Sequence, residues 1–159
     1  MIYTHSYNSP LGRIIVASHE EALIGLWFER QKFFGTTLCE ASVEKKNTVL
    51  SEAHRWLDLY FSGCRPDFLP PLRLLGTPFQ QKVWQQLLAI PYGATTTYAQ
   101  LALTCHTSAR AIGGAVGRNP ISLIVPCHRV IASDGSLTGY AGGTDRKKAL
   151  LDMEQSLIG

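Results

Sequence analysis

The stretch that most restricts the fold runs from residue 108 to residue 130 and reads SARAIGGAVGRNPISLIVPCHRV. Its first half, residues 108–117, favours a short helix that carries glycines and alanines in place of large side chains. Its second half contains a β-rich run over residues 121–125, and Pro126 holds the preceding residue extended. The stretch therefore predicts a helix and then a short strand that ends just before Cys127.

The sequence around this stretch predicts further helices. Residues 97–104 favour a short helix and residues 105–107 a turn, so the region is a helix-turn-helix candidate. Further upstream, residues 77–80 read Thr-Pro-Phe-Gln, a capping box with proline at the first helical position, which marks the start of a longer helix. Residues 146–155 predict a final helix.

The first half of the chain has a different pattern. Three β-rich runs separated by turn sequences predict an antiparallel meander: residues 2–7, 13–18 and 23–28. Residues 31–47 are ambiguous, and apolar residues recur at helical spacing over residues 49–61. Prolines then mark a linker that runs to Gly76. We therefore expect two domains: an N-terminal α/β domain with its linker over residues 1–75, and a C-terminal domain over residues 76–159.

Composition excludes several classes of protein. Of the 159 residues, 45% are hydrophobic and 17% are charged, which is enough to fill a core and excludes a disordered chain. No apolar run reaches the length of a transmembrane helix, about 18 residues, and the N-terminus lacks the pattern of a signal peptide. We therefore expect a cytoplasmic protein with no membrane partner. The four cysteines form no CxxC pair, which argues for free thiols and against a zinc site.

Charge is distributed unevenly along the chain. The net charge of +3 falls entirely in residues 76–159, and no acidic residue occurs between Asp67 and Asp134. A surface without carboxylates suits a polyanion such as DNA, because a carboxylate near a phosphate weakens binding. The same distribution fits a small buried domain with few charges of either sign. Charge alone therefore does not distinguish a DNA-binding surface from such a domain, and the sequence motifs are needed to do so.

Cys127 is the candidate nucleophile. A thiol reacts as the thiolate, and a free cysteine with a pKa of about 8.5 needs a base or a positive charge nearby to ionise at neutral pH. His128 follows it directly and could act through one bridging water if a third group held its other nitrogen. Glu154 on the final helix is a candidate for that group. The alternative is a buried structural thiol beside a surface histidine.

The helix over residues 108–117 is unusual because Gly113 and Gly114 lie in its interior. Each interior glycine costs about 1 kcal/mol relative to alanine. Such a helix allows its backbone to approach another surface closely, and that surface is either a nucleic acid or a neighbouring part of the protein. Arg110 is the only long charged side chain of this helix. It is either a basic probe that rises from a smooth surface or a solvated residue at the start of the helix.

At these residues the chain resembles the O6-alkylguanine-DNA alkyltransferase family. The Pro-Cys-His-Arg core of the family is intact at residues 126–129, and the separated family residues recur at matching distances from the cysteine: Arg110, Asn119, Tyr140 and Glu154. The resemblance covers about residues 76–156, whereas residues 1–75 match in length and general character. It implies an α+β fold. A small N-terminal ribonuclease-H-like antiparallel sheet with a helix would precede a helical C-terminal domain with a helix-turn-helix and a short active-site strand.

The resemblance implies direct repair of double-stranded DNA. An alkyl group would move from guanine O6 to Cys127, once per molecule, after the damaged nucleotide is flipped out with the protein in the minor groove. Glu154, His128 and a water would draw the proton from Cys127, and Tyr98 would donate a proton to the guanine. The reaction needs no metal and no cofactor, and a monomer is the simplest state.

The resemblance also assigns the other site residues. Asn119 would be the hinge that joins the helix-turn-helix to the active-site strand, and Arg110 would fill the space that the flipped nucleotide leaves. The DNA-binding residues would be Tyr98, Arg110, Ala111, Gly113, Gly114 and Arg118. The base pocket would be formed by Val116, Ser122, Val130, Tyr140 and Ala141.

Three other functions would each fit part of the sequence. An alkyltransferase-like protein that binds lesions without repairing them would lack the acceptor cysteine, which is present here as Cys127. A helix-turn-helix regulator would need a dimer surface and a more basic recognition helix. A cysteine hydrolase would need turnover and a histidine from a distant part of the chain.

Overall fold

The computed structural model describes residues 1–38, 41–137, 140 and 143–158. It divides into two compact units, one formed by residues 1–75 and 120–122 and the other by residues 76–119 and 123–159. The short segment 120–122 thus belongs to the first unit, although the chain on both sides of it belongs to the second.

A four-stranded sheet with strand order β3-β2-β1-β4 forms the first unit. The predicted meander is present as three antiparallel strands: β1 (Ile2–Ser9), β2 (Gly12–His19) and β3 (Ala22–Phe28). The short β4 (Ser42–Glu44) pairs in parallel with β1, so the sheet is mixed at one edge, where the sequence predicts antiparallel strands alone. All three residues of β4 are exposed, and they therefore lack the alternating pattern by which a half-buried strand is recognised.

Helix α1 (Thr48–Phe61) packs against this sheet, as its periodicity predicts. The Asn47 side chain caps it by accepting a hydrogen bond from Leu50 N at 2.9 Å. The buried face of α1 consists of Val49, Leu50, Ala53, Trp56, Leu57 and Tyr60. Within the sheet, Gly25 makes room for a fully buried tryptophan, because a Cβ at this position would lie 2.0 Å from the Trp27 ring.

The second unit is mainly helical. Its helices are α2 (Pro78–Leu88), α3 (Tyr98–Cys105), α4 (Ala109–Gly117) and α5 (Thr144–Ile158). Two short strands, β5 (Thr96–Thr97) and β6 (Val130–Ile131), pair in parallel. The predicted capping box begins α2: Thr77 Oγ1 accepts from Gln80 N at 3.1 Å, and Gln80 Oε1 accepts from Thr77 N at 3.0 Å.

Helices α3 and α4 are the two short helices that the sequence predicts, and they pack against each other. Their junction needs a left-handed residue, and His106 supplies it with a φ of 56° at the end of α3. Thr107 N then donates to Ala102 O at 2.9 Å, and the Ser108 side chain caps α4 by accepting from Ala111 N at 3.1 Å.

Residues 121–125 do not form the predicted strand. Ile121 makes a single parallel bridge to Leu26, and the chain then turns over residues 122–124. Leu123 has a φ of 69°, a left-handed conformation in which an extended strand cannot continue. The short strand beside Cys127 is β6, which follows the cysteine.

Candidate active site and nucleic-acid interface

Cys127 begins a single 3-10 turn, Cys127–Arg129, that leads directly into β6. Cys127 N donates to Val125 O at 2.8 Å, and Arg129 N donates to Pro126 O at 3.0 Å. Since this type of helix has three residues per turn, consecutive side chains point in directions about 120° apart. The side chains of Cys127, His128 and Arg129 are buried and spread around the turn, in contrast to the two-sided arrangement of an extended segment.

Glu154 on α5 holds both residues that follow the cysteine. Its Oε2 lies 2.6 Å from His128 Nε2, and its Oε1 accepts from Arg129 Nε at 2.8 Å. Burial alone would raise the pKa of Glu154, but its hydrogen bonds to His128 and Arg129, together with the charge of Arg129, outweigh it and lower the pKa to about 2. The carboxylate is therefore ionised at neutral pH, as the predicted orienting group must be.

The contact with Glu154 determines which nitrogen of His128 is basic. Burial lowers the pKa of His128, against the opposing effect of Glu154, so the ring is neutral at neutral pH. A carboxylate accepts hydrogen bonds, and the single ring proton therefore lies on Nε2. The other nitrogen, Nδ1, is buried and has no hydrogen-bond partner among the residues that the structure describes. His128 thus offers an unused lone pair inside the site.

Burial raises the pKa of the Cys127 thiol to about 11. A hydrogen bond from the Asn119 side chain and the charge of Lys147 oppose this rise. Asn119 follows α4 and also donates from Nδ2 to Val125 O at 2.8 Å, which ties the end of the helix to the segment before Cys127. The role of Asn119 as a hinge stays a prediction, and this hydrogen bond is the contact on which it would depend. The thiol stays protonated at rest and needs a base to react.

Helix α4 has a smooth outer face. It buries Ile112, Ala115 and Val116 against the unit, whereas Arg110 and Gly114 are exposed. A Cβ at Gly114 would meet no atom within 4 Å, and one at Gly113 would meet only Tyr98 Cδ1 at 4.0 Å. The protein itself has room for alanine at both positions. The glycines therefore serve no packing within the described protein, and of the two alternatives for this helix the contact with an external surface is favoured.

A cavity of about 440 Å³ opens beside this face and is lined by Tyr98, Ala99, Ala109, Arg110, Gly113, Ala132 and Ser133. Tyr98 begins α3 and is half-buried. Burial and the proximity of Cys127 raise the pKa of Tyr98 to about 12, so its phenol is a proton donor at neutral pH. Two of the predicted DNA-binding residues, Arg110 and Gly113, thus share one cavity with the predicted proton donor.

The remaining predicted residues lie in different surroundings. Tyr140 is buried, with its ring edge-on to that of His128 at a centroid distance of 6.5 Å, and Val130 is buried at the start of β6. Arg118 is the exposed residue that ends α4, Ala111 is half-buried, and Val116 faces the core. Ala141 lies outside the described residues.

Ser122 belongs to the first unit. Its side chain is buried, its hydroxyl donates to Gln31 Oε1 at 3.4 Å, and its backbone N donates to Leu26 O at 2.9 Å. Its assignment to the base pocket stays a prediction, and its polar groups already have partners in the first unit.

Sequence reasoning missed several residues around the site. Ala132 and Ser133 line the cavity, Arg129 holds Glu154, and Lys147 on α5 is fully buried near Cys127. Arg129 could have been found, because it lies within the Pro-Cys-His-Arg motif. Lys147 lies in the charged run Asp-Arg-Lys-Lys, which is typical of an exposed helix start, so the sequence carries no signal of its burial.

Neither a metal centre nor a membrane segment is found in the described part of the chain. No group of three or more His, Cys, Asp or Glu residues within residues 1–38, 41–137, 140 and 143–158 could hold a metal ion. None of the helices formed by these residues is long and apolar enough to cross a membrane.

Sequence models of two domains match nearly the whole chain. The ribonuclease-like domain of 6-O-methylguanine DNA methyltransferase matches residues 2–74, and the DNA binding domain of the same protein matches residues 78–156.

Known methylated-DNA–protein-cysteine methyltransferases are similar to this chain over nearly all of their length. The methylated-DNA–protein-cysteine methyltransferase of Mycobacterium leprae is 43% identical, over 99% of this chain and 95% of the relative. The constitutive enzyme of the same name from Bacillus subtilis is 41% identical, over 98% and 96%. The crystal structure of Mycobacterium tuberculosis OGT in complex with DNA is 41% identical, covers 98% of this chain and 94% of that chain, and superposes with a TM-score of 0.87.

Proposed function

The chain belongs to the 6-O-methylguanine DNA methyltransferase family, and from that premise we propose that it repairs DNA by moving an alkyl group from guanine O6 to the sulfur of Cys127. The contact between His128 and Glu154 is the observation that supports Cys127 as the acceptor, because His128 directly follows Cys127 in the chain. Two of the other cysteines, Cys64 and Cys105, do not adjoin such a pair: Cys64 is exposed, and Cys105 is buried in α3.

The reaction is a single displacement. The Cys127 thiolate attacks the alkyl carbon, an S–C bond forms, and the C–O6 bond breaks with its electron pair left on guanine. A proton then neutralises the guanine. The thioether product is stable, so each molecule reacts once, and the reaction needs no metal or cofactor.

The proton of Cys127 leaves through His128. Nδ1 of His128 is the basic nitrogen, because Nε2 is held by the ionised carboxylate of Glu154. One water between Nδ1 and the sulfur would complete the relay. A buried, neutral imidazole without another partner for Nδ1 among the described residues supports this role.

Tyr98 supplies the proton that the leaving guanine needs. Its phenol is protonated at neutral pH, lies in the wall of the cavity beside α4, and is close enough to Cys127 for their charges to interact. The flipped base would enter this cavity, with Val116, Val130 and Tyr140 as further pocket residues.

Helix α4 forms the DNA interface. Gly113 and Gly114 leave a face over which a sugar–phosphate backbone can approach closely, which suits the minor groove, where shape matters more than base identity. Arg110 rises from that face and takes the place of the flipped nucleotide, while Ala111 and Arg118 contact the strand nearby. Asn119 holds this helix in register with Cys127. The protein would act as a monomer in the cytoplasm.

Mass spectrometry of the intact protein tests the proposal. After mixing with duplex DNA that contains O6-methylguanine, the protein should gain the mass of one methyl group, and peptide mapping should place it on Cys127. Cys127→Ser should bind the damaged duplex and gain nothing. Binding without any mass gain in the wild type would favour a lesion-binding protein, and binding to one undamaged operator would favour a regulator.

A further inference from the structure

Lys147 is a buried lysine that the proposed reaction leaves without a role. It lies in the first turn of α5, and its side chain has a relative exposure of 0%. Lysine is almost never fully buried unless its charge is compensated, because an ammonium loses its hydration inside the protein. A positive charge held in such a place acts strongly on any neighbouring group that becomes negative during the reaction.

Three of the groups near Lys147 belong to the active site. Its Nζ lies 5.7 Å from the centroid of the Tyr98 ring on α3. Cys127 and His128 of the 3-10 turn are close enough for their charges to interact with that of Lys147. Of these three groups, Cys127 is the one that must become an anion before it can attack. The aromatic face of Tyr98 also stabilises the ammonium.

We propose that Lys147 supplies the positive charge that stabilises the Cys127 thiolate during alkyl transfer, an inference that rests on Cys127 being the acceptor. A buried opposite charge within about 4–6 Å lowers the pKa of a thiol by about 1–3 units, and little water is present to screen it. The interaction is mutual. Burial lowers the pKa of Lys147 to about 8, and the sulfur opposes that shift, so the lysine remains mostly protonated at neutral pH.

Lys147 and Glu154 then stabilise the two opposite charges that the proton transfer creates. When His128 takes the proton, an imidazolium and a thiolate form in one buried site. The charge of Lys147 disfavours the imidazolium, whereas Glu154, at 2.6 Å from Nε2, favours it. Lys147 offsets the anion and Glu154 offsets the cation, so neither charge is left uncompensated.

Reactivity of the thiol toward iodoacetamide, a small neutral electrophile, tests this role independently of DNA. Labelling of Cys127 is followed by peptide mass spectrometry over a series of pH values, with the exposed Cys64 as internal reference. Lys147→Met removes the charge and keeps the length of the side chain. At about pH 7.5 we expect Cys127 in this variant to react about tenfold more slowly than in the wild type, with its pH profile shifted upward by about one unit.

Two further variants separate charge from structure. Lys147→Arg keeps the positive charge and should restore most of the reactivity at neutral pH. Lys148→Met is the matched control, because Lys148 lies on the same helix but is exposed and pairs with Asp152 at 2.7 Å. This control should react like the wild type. Methyl transfer from DNA should follow the same order of rates.

Equal rates and pH profiles in folded Lys147→Met and wild-type protein would overturn the proposal. If circular dichroism shows that Lys147→Met does not fold, Lys147→Gln is compared with Lys147→Arg, and equal reactivity of Cys127 in these two variants overturns it in the same way. Failure of the proposed function looks different: wild-type Cys127 would then gain no methyl group from DNA, whatever its reactivity toward iodoacetamide.

Discussion

Arg129 and Glu154 form a two-pronged ion pair inside the second unit. Nε lies 2.8 Å from Oε1 and Nη2 lies 3.2 Å from Oε2, with side-chain exposures of 9% and 1%. The remaining nitrogen of the guanidinium, Nη1, donates to Ile90 O at 2.8 Å just after α2. Arg129 therefore fixes the carboxylate that orients His128 and joins α5 to the end of α2.

Removing Arg129 should destabilise the protein strongly. Arg129→Met leaves the buried Glu154 carboxylate without its main counter-charge, and breaking a buried pair from one side costs about 3–5 kcal/mol. Arg13→Met is the control, because Arg13 pairs with Glu29 at 3.3 Å with both side chains half exposed. That pair should contribute less than about 1 kcal/mol. Urea unfolding of both variants measures the difference, and a similar loss of stability in the two would contradict the role of Arg129.

Gly114→Ala should stabilise the fold and weaken DNA binding. An added methyl group meets no protein atom within 4 Å, and alanine in a helix interior is favoured over glycine by about 0.5–1 kcal/mol. The same methyl group would stand on the face that approaches DNA. We expect a higher urea midpoint, a higher Kd for duplex DNA by fluorescence anisotropy, and an unchanged rate with the free base O6-benzylguanine.

Gly76→Ala is the matched control for that experiment. A Cβ at Gly76 would lie 2.4 Å from the Trp84 ring and 2.6 Å from Gln80 Oε1, so this glycine is needed for packing within the protein. The variant should lose about 1–3 kcal/mol of stability. If Gly114→Ala lost stability in the same way and bound DNA normally, α4 would be a helix whose glycines serve internal packing.

The sequence predicts best where a side chain acts on its own neighbours. Thr77 and Gln80 cap α2 as the motif predicts, because a capping box involves only four consecutive residues. Residues 121–125 are rich in β-branched residues, but Leu123 takes a left-handed conformation and the segment is divided between the two units. Local propensity carries no information about that division. The burial of Lys147 depends in the same way on groups distant in sequence, which composition cannot reveal.

His54 should make the protein less stable in mild acid. Its ring lies 5.0 Å from that of His5 and 5.3 Å from that of Tyr7, and burial, with the charges of Lys46 and His5, lowers its pKa to about 4. The unfolded chain, with a histidine pKa of about 6.5, binds more protons between these values. The stability that His54 contributes is therefore present above about pH 6.5 and is lost as the pH falls toward about 4.

Urea unfolding at several pH values between about 7 and 4 measures this effect. His54→Phe removes the titrating ring and keeps the aromatic contacts, so its stability should fall less steeply over this interval than that of the wild type. His106→Asn is the control, because His106 is exposed and asparagine tolerates its left-handed conformation. This variant should keep the wild-type slope. Equal slopes in all three proteins would show that the acid sensitivity arises elsewhere.

Arg110 should matter for extrusion of the nucleotide and not for the chemical step. It is the second residue of α4, is exposed, and lines the cavity with Tyr98. A guanidinium that fills the vacated stack stabilises the flipped state, and stacking on a base contributes about 1–3 kcal/mol. Arg110→Ala should therefore slow methyl transfer from duplex DNA about tenfold or more and leave the rate with free O6-benzylguanine nearly unchanged.

Arg118→Ala distinguishes this role from simple attraction to phosphate. Arg118 is exposed at the other end of α4, and its removal should weaken duplex binding. Binding should also depend less on salt, because the slope of log K against log salt falls by about one unit for each phosphate that the protein no longer neutralises. At saturating DNA, however, the rate of methyl transfer by Arg118→Ala should equal that of the wild type. Arg110→Ala should remain slow, because saturation restores binding but does not restore the stacked guanidinium.

Single-turnover kinetics on duplex, single-stranded and free-base substrates make the comparison between Arg110→Ala, Arg118→Ala and the wild type. If Arg110→Ala slowed all three substrates equally, Arg110 would act on the reaction or the fold, and extrusion would have to depend on another residue of the α4 face.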